Sequence, residues 1–100
     1  MTKSEIIAKI SEVTGLTKVE TETVVNGFFA TVSEALGKGE TINFRGFGNF
    51  VVKHQKARYG FNPSTKEKIW INEKYKPAFR PSKTLKNIVT KSLHKSYRRN

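Results

Sequence analysis

The chain of 100 residues contains no cysteine and no aspartate. Without cysteine it forms no disulfide and no thiolate metal site, and it has no cysteine nucleophile. No apolar run approaches the ~20 residues that a membrane-spanning helix requires, and the amino terminus lacks the apolar segment of a signal peptide. We therefore expect a soluble protein of the cytoplasm that does not bind membranes.

Acidic side chains are scarce, since eight glutamates accompany 19 lysines and arginines, and the net charge is +11. Residues 1–45 carry five cations and six glutamates, whereas residues 46–100 carry fourteen cations and two glutamates. An excess of this size predicts a polyanionic partner, with DNA, RNA and an anionic membrane surface as the possible classes. We expect the first half of the chain to form a scaffold and the second half to face the polyanion.

Catalytic and metal-binding patterns are absent from the sequence as well. His54 and His94 are the only histidines, and no HxxxH, GxSxG or GxGxxG pattern occurs. A nucleic-acid-cleaving enzyme would need a cluster of carboxylates to hold its metal ion, and the sequence offers none. We predict that the protein is not an enzyme and uses no metal or cofactor.

The apolar pattern predicts an α+β fold that begins with a helical hairpin. Thr2 and Glu5 have the spacing of a capping box, and so do Thr17 and Glu20, while Gly15 and the "GKG" at 37–39 end the two helices. The apolar stripes of the two helices consist of Ile6, Ile10, Val13, Val24, Phe28, Val32, Ala35 and Leu36.

From residue 41 the apolar period changes to that of strands. "TINFR" predicts a short strand, and two longer extended runs flank the "GFNPST" turn. These runs predict a ribbon about 35–40 Å long at ~3.3 Å per residue, which becomes ordered against a partner because an isolated ribbon is marginally stable. A last helix begins at the N-cap Ser82, and a basic tail follows it. Its inward residues are Leu85, Ile88, Val89 and Leu93.

The turn of this ribbon combines apolar residues with cations, because Phe61 and Pro63 lie between Arg58 and Lys66. A proline or phenylalanine inserted between base steps kinks a DNA duplex from its minor groove. Alternatively, Phe61 packs back on the ribbon, Pro63 only shapes the turn, and the cations are a solvated surface. The residue types alone leave these interpretations open.

Three motifs resemble those of the HU/IHF family of bacterial, histone-like DNA-binding proteins. They are "GFGNF" at 46–50, the RxGxNPxT pattern at 58–65 and "PAFRPSKTLK" at 77–86, and the likeness runs collinearly over residues 2–90. The resemblance implies a single domain over residues 1–100. Its parts are the body of an intertwined dimer (1–52 and 77–90), which contains the helices and a short antiparallel sheet, a β-ribbon arm (53–76) and a basic C-terminal extension (91–100).

The family implies a nucleoid-associated protein that bends or condenses double-stranded DNA and prefers bent, nicked or distorted sites. It implies a homodimer, with a heterodimer containing a paralogue as the alternative. Pro63 corresponds to the intercalating residue, with Phe61 beside it. The implied DNA contacts are Lys3, Arg45, Gly46, Lys53, Gln55, Lys56, Arg58, Gly60, Asn62, Ser64, Thr65, Lys66, Lys68, Lys74, Lys76, Arg80, Lys83 and Lys86. The implied dimer core is Phe28, Phe29, Phe44, Phe47, Phe50 and Phe79.

The chain departs from the family pattern at several positions of the arm and at one position of the body. Gln55 stands where arginine is usual, Phe61 where HU commonly has arginine, Lys66 where glycine is common, and Ser82 where glycine is usual. Fewer arm cations imply weaker non-specific binding. The "FRP" at 79–81, the "GFGNF" at 46–50 and the C-terminal extension are closer to IHF than to HU. Sequence-selective and non-selective binding are therefore both open.

An RNA-binding module is the second functional class that the charge allows. RNA has a deep major groove and a wide, shallow minor groove, which suit neither a long paired arm nor a wedge. The RNP and KH signatures are also absent from the sequence. We therefore expect DNA rather than RNA to be the partner.

Overall fold

A computed structural model describes residues 1–97 of the chain. The strands form a three-stranded sheet in the order β1-β2-β5 and a two-stranded sheet of β3 and β4, all antiparallel. Together with three helices, these sheets confirm the predicted α+β class. In chain order the elements are α1 (Lys3–Thr14), α2 (Lys18–Gly37), β1 (Ile42–Phe44), β2 (Gly48–Gln55), β3 (Arg58–Phe61), β4 (Lys68–Ile71), β5 (Lys74–Pro81) and α3 (Lys83–Tyr97).

The two helices of the hairpin begin at the predicted caps. Thr2 Oγ1 accepts a hydrogen bond from the backbone N–H of Glu5 at 3.2 Å. Thr17 and Glu20 form a complete capping box, in which each side chain accepts a hydrogen bond at 3.0 Å from the other residue's backbone N–H. The backbone hydrogen bond from Thr17 lowers the pKa of Glu20, and the Thr17 side chain adds to this effect. Gly15 ends α1 with a φ of 78°.

A single copy of the chain has a thin core. Among the described residues, Ile7 and Val51 are the buried hydrophobic side chains, and Thr21 is a buried polar one whose hydroxyl donates to the carbonyl of Thr17 at 2.8 Å. The stripe predicted for α1 is exposed in a single copy, with Ile6 at 43%, Ile10 at 36% and Val13 at 86%, and the buried side chain of this helix is Ile7. Val13 lies in the last turn of the helix.

The apolar side chains expected to point inward from α2 and α3 are also largely open in a single copy. Val24 and Phe28 on α2 are exposed, as are Ile88 and Leu93 on α3. None of the helices within residues 1–97 is both long and apolar enough to span a bilayer. A single copy therefore leaves the apolar faces of α2 and α3 open.

The "GFG" segment joins β1 to β2 through a tight turn. Gly46 has a φ of 83°, in the left-handed region that glycine tolerates best, and the backbone N–H of Phe47 donates to the carbonyl of Phe44 at 2.9 Å. A Cβ on Gly48 would lie 2.5 Å from the ring of Phe79. Glycine at this position therefore lets β5 bring its phenylalanine onto β2.

The ribbon, which the sequence predicts to be continuous, is interrupted between the β2–β5 ladder and the β3–β4 ladder. β2 pairs with β5 as far as Gln55 opposite Lys74, and β3 pairs with β4 from Arg58 opposite Ile71, so the register is unchanged across the gap. Residues 56–57 and 72–73 are unpaired. They are lysine, alanine, asparagine and glutamate, which are all depleted in strands.

The last helix begins at Ser82, as predicted. Its Oγ accepts a hydrogen bond from the backbone N–H of Leu85 at 3.0 Å, and its own N–H donates to the carbonyl of Phe47 at 2.9 Å. The helix continues without a break to Tyr97. Residues 91–97 of the predicted C-terminal extension are therefore part of α3, and residues 98–100 lie outside the described part of the chain.

Candidate nucleic-acid interface

The tip of the ribbon is a turn that Asn62 organises. Its backbone N–H donates to the carbonyl of Glu67 at 2.9 Å, and its carbonyl accepts from the N–H of Lys66 at 2.7 Å. Its side-chain Oδ1 also accepts from the backbone N–H of Ser64 at 3.0 Å and of Thr65 at 3.5 Å. Asparagine favours turns because its side chain bonds to backbone groups just ahead in this way. The turn is therefore fixed by local hydrogen bonds.

This turn carries the two apolar residues singled out in the sequence. Pro63 follows Asn62 and is exposed, and Phe61, the last residue of β3, is 65% exposed. Of the two interpretations of Phe61, the structure has the outward one rather than the one in which the ring packs back. Both side chains are accessible to a partner at the far end of the ribbon.

Lys66, which stands where the family resemblance leads us to expect glycine, has a left-handed backbone conformation. It has a φ of 59° and is the one residue other than glycine with a positive φ in the described part of the chain. A residue with a Cβ in this conformation is disfavoured by about 1–2 kcal/mol. The departure from the family pattern adds a cation to the tip and strains the turn.

One face of the β2–β5 ladder is basic. Lys53 lies directly opposite Lys76, and Gln55 lies opposite Lys74. Arg80 shares this face, since it is an even number of residues from both lysines of β5. Like charges directly opposite each other on a ladder are destabilising, so the pairing of two lysines favours a bound polyanion. We call this set of residues the basic face (Lys53, Gln55, Lys74, Lys76 and Arg80).

The other face of the same ladder is aromatic and apolar. His54 stacks on Tyr75, with ring centroids 4.7 Å apart, and its Nε2 lies 3.3 Å from a carboxylate oxygen of Glu73. Tyr75 also lines an open groove between this face and the end of α2, together with Leu36 and Pro77. The sequence predicted His54 only as a surface residue, because its partners depend on the strand register.

The β3–β4 ladder, which is the outer ladder of the ribbon, also has two different faces. Tyr59 lies opposite Trp70, and Phe61 lies opposite Lys68. The Tyr59 and Trp70 rings meet edge to face at 4.9 Å, and Lys68 Nζ lies 4.6 Å from the centre of the Tyr59 ring. We call these four residues the aromatic face. Arg58, opposite Ile71, lies on the reverse side.

The predicted arm contacts are thus divided between the two sides of the outer ladder. Phe61 and Lys68 belong to the aromatic face, whereas Arg58 and Gly60 lie on the reverse side. Sequence reasoning did not single out Tyr59 and Trp70 as site residues. The alternation of residue types along each strand was visible in the sequence. That Tyr59 lies opposite Trp70 depends on the register of the two strands, which the sequence does not show.

The remaining predicted contacts lie at the body and at the interruption of the ribbon. Lys83 and Lys86 occupy the first turn of α3, Lys3 begins α1, and Arg45 lies in the β1–β2 turn beside Gly46. All of these are exposed, as is Lys56 in the interruption. A positive charge in the first turn of a helix opposes the helix dipole by about 0.3–1 kcal/mol. An anion bound at the start of α3 would remove this disadvantage.

The phenylalanines predicted for the dimer core form one continuous cluster. Successive ring centroids are 5.0–5.9 Å apart from α2 through β1 and β2 to β5. The cluster is only partly covered by its own chain, since Phe29 is 52% and Phe47 is 50% exposed. Its members, in order of contact, are Phe29, Phe28, Phe44, Phe50, Phe79 and Phe47. Within residues 1–97 no group of three histidine or glutamate side chains could hold a metal ion.

Comparison with known proteins identifies the family. A family model described as "Bacterial DNA-binding protein" matches residues 1–90. The integration host factor subunit alpha of Anaeromyxobacter sp. is 44% identical over 92 residues, which are 92% of this chain and 93% of the relative. The DNA-binding protein HU of Thermus thermophilus is 42% identical over 91 residues, which are 91% of this chain and 94% of the relative.

A solved structure agrees with these relatives. The Anabaena HU–DNA cocrystal structure is 34% identical, covers 89% of this chain and 97% of that chain, and superposes with a TM-score of 0.81. Fold and sequence together define the class as bacterial DNA-binding proteins. Within that class, the chain belongs to the HU/IHF family. The resemblance drawn from the three motifs is confirmed.

Proposed function

We propose that the protein is an architectural DNA-binding protein whose two ribbon arms enter the minor groove of duplex DNA and bend it. The observation that carries this proposal is the tip, where Pro63 and Phe61 are exposed at the end of a ribbon with a basic face. The Anabaena relative, solved in complex with DNA, supports DNA as the partner. The role is structural rather than catalytic, and it places the protein at the nucleoid.

Phosphate contacts supply most of the affinity in this proposal. The basic face lies along the inner part of the arm, and Lys83 and Lys86 lie at the start of α3. Each neutralised phosphate releases counterions, so the logarithm of the binding constant falls by about 0.9 per phosphate with the logarithm of salt concentration. Such contacts hold the duplex without reading its sequence.

The tip supplies the bend. Pro63 is wedged between base steps, and Phe61 inserts beside it or packs on the floor of the groove. Unstacking a step costs a few kcal/mol, which the additional contacts of bent DNA with the body offset. DNA that is already nicked avoids part of this cost, so it should bind more tightly than intact duplex of the same sequence.

A dimer is the second part of the proposal. A single copy exposes 8694 Å², whereas a folded monomer of 11.4 kDa exposes about 5,800 Å². Its radius of gyration is 19.5 Å, compared with about 13 Å for a compact domain of this length. An extended arm accounts for part of this excess, and a half-open phenylalanine cluster for another part. We propose that a second copy covers the cluster and the open faces of α2 and α3.

Sedimentation equilibrium at micromolar concentration tests the dimer. We expect a species of twice the chain mass, and a folded monomer of 11.4 kDa would contradict the proposal. The same measurement after mixing with a paralogue would reveal a heterodimer, which is the alternative assembly. The two outcomes differ in mass because the two chains of a heterodimer are different.

Binding and bending are tested with matched nucleic acids. Intact, nicked and four-way DNA and duplex RNA of the same sequence are compared by gel shift at several salt concentrations, with the bend measured by FRET. We expect nicked and four-way DNA to bind most tightly, intact DNA to bend on binding, and duplex RNA to bind weakly. Binding to duplex RNA as tight as to nicked DNA, or DNA binding without a bend, would contradict the proposal.

A further inference from the structure

The aromatic face of the outer ladder has more open ring surface than a wedge at the tip requires. Tyr59 is 62% and Trp70 is 55% exposed, although their rings contact each other at 4.9 Å. A cross-strand aromatic pair stabilises a ribbon. That role does not require the rings to stay open to solvent. Their exposure leaves ring surface available for a ligand.

The aromatic face lies in line with the basic face. The register is the same in both ladders, with Gln55 opposite Lys74 and Tyr59 opposite Trp70. Each strand advances by four residues between these pairs, and an even spacing places side chains on the same side of an extended ribbon. By this alternation the aromatic face continues the basic face toward the tip. A strand of nucleic acid held by the lysines would therefore reach the open rings.

The chemistry of the face suits an unpaired nucleobase. Lys68 Nζ lies over the Tyr59 ring, 4.6 Å from its centre, so it covers one face of that ring and provides a cation for a phosphate next to the open surface. Aromatic rings and cations on a β-surface are how single-stranded nucleic acids are bound without sequence preference.

An intact duplex cannot stack its bases on Trp70 and Tyr59, which lie along the ladder behind the two wedge residues of the tip. The faces of its bases are covered by their neighbours in the stack, so a ring in the groove meets only base edges and sugars. Unpaired bases expose their faces. The arm residues 53–76 also carry seven lysines and arginines and only two glutamates, which favours a nucleic acid over an apolar protein partner.

We propose that the aromatic face is a second DNA-binding site, which stacks the unpaired bases of single-stranded or gapped DNA on Trp70 and Tyr59. This activity goes beyond duplex bending, since a free single strand occupies the site without any bend. It also predicts that a gap with unpaired bases binds more tightly than a nick, which has none.

The test compares two labelled strands of equal length by fluorescence anisotropy. One is an oligothymidylate of about 12 nucleotides, within the span of known stacking surfaces, and the other is an abasic strand with the same phosphates. Wild type should bind the oligothymidylate more tightly. Trp70→Leu and Tyr59→Leu should each weaken that binding by about 5- to 150-fold, the range for loss of one stacked base, and leave binding of the abasic strand unchanged.

Two further variants separate stacking from arm structure. Trp70→Phe keeps an aromatic ring and should retain oligothymidylate binding within about threefold, since stacking tolerates a change of ring. Tyr75→Leu removes an equally exposed ring from the opposite side of the β2–β5 ladder. This variant should change the binding of neither the oligothymidylate nor the abasic strand. Trp70 is the only tryptophan of the chain, so quenching of wild-type emission by oligothymidylate, but not by the abasic strand, should report the same contact.

Two results would contradict the proposal of a second DNA-binding site. If Trp70→Leu weakens both single strands equally, the face contributes no stacking. If it weakens intact duplex as much as oligothymidylate, the face lies in the duplex groove and is not a separate site. Normal oligothymidylate binding by a protein that fails to bend duplex would instead contradict the proposed function and leave this inference standing.

Discussion

The body and the arm each expose a phenylalanine, and the two residues have opposite expected roles. Phe47 is 50% exposed and Phe61 is 65% exposed in a single copy of the chain. The ring of Phe47 lies 5.4 Å from that of Phe79, at the end of a continuous apolar cluster. Phe61 instead lies opposite Lys68 and two residues before Pro63. Neighbours rather than exposure therefore distinguish a surface for a second copy from a surface for DNA.

The largest expected effect is on the body. Phe47→Ala should lower the free energy of unfolding of the dimer by roughly 3–5 kcal/mol, because it truncates a ring that a second copy buries. Denaturant unfolding at several protein concentrations measures the change. Val13→Ala is the matched control, since this apolar residue is 86% exposed and lies outside the cluster. A change below about 1 kcal/mol for Phe47→Ala would remove the residue from the core.

The next effect is on the arm. Pro63→Ala should reduce the preference for nicked over intact duplex, by up to the few kcal/mol that unstacking a base step costs. It should leave the free energy of unfolding and the slope of binding against salt nearly unchanged. Competition binding with the two duplexes measures the preference. If the variant keeps the wild-type preference, the proline shapes the turn without wedging the DNA.

Single phosphate contacts should have smaller effects. Lys83→Ala and Lys86→Ala should each lower the slope of log K against log salt by about one and weaken all sequences alike. Salt titrations with two unrelated duplexes provide the measurement. Lys9→Ala, which removes a cation in the middle of α1, is the control and should leave the slope unchanged. A flat titration for the wild type would contradict the phosphate-driven mode of binding.

The smallest effect concerns the cap of α2. Thr17→Ala should cost about 1 kcal/mol of stability, as loss of an N-cap does. The pKa of Glu20 is lowered in the folded chain from its ordinary value of 4.5, so its contribution is present above that value and is lost as the pH falls through the lowered one. The stability difference between wild type and Glu20→Gln should therefore shrink below pH 4.5. A difference that grows on acidification would contradict the capping geometry.

Local signals in the sequence were sufficient for the ends of the helices and for the turns. The caps at Thr2, Thr17 and Ser82 are made by side chains that bond within a few residues, and the turn before β2 follows from Gly46. The place of the ribbon tip follows from its Asn-Pro sequence for the same reason. Such features depend on neighbouring residues alone, so they can be read without the rest of the fold.

Features that depend on register or on tertiary packing could not be predicted in this way. The pairing of Tyr59 with Trp70 and the contact of His54 with Glu73 required the alignment of two strands. The burial of Ile7 in place of Val13 depends on how the helices pack. The family resemblance supplied the phenylalanine cluster, which the apolar period alone would not have joined across four elements.

The bend of intact duplex DNA most directly tests the contrast between body and arm. FRET between the ends of a duplex at saturating protein is compared for wild type and a Pro63→Ala, Phe61→Ala double variant. If both tip residues are wedges, the double variant should bind with the same salt slope and an unchanged free energy of unfolding, and it should bend the duplex much less. Equal bending by the two proteins would show that the arm tip is not a wedge.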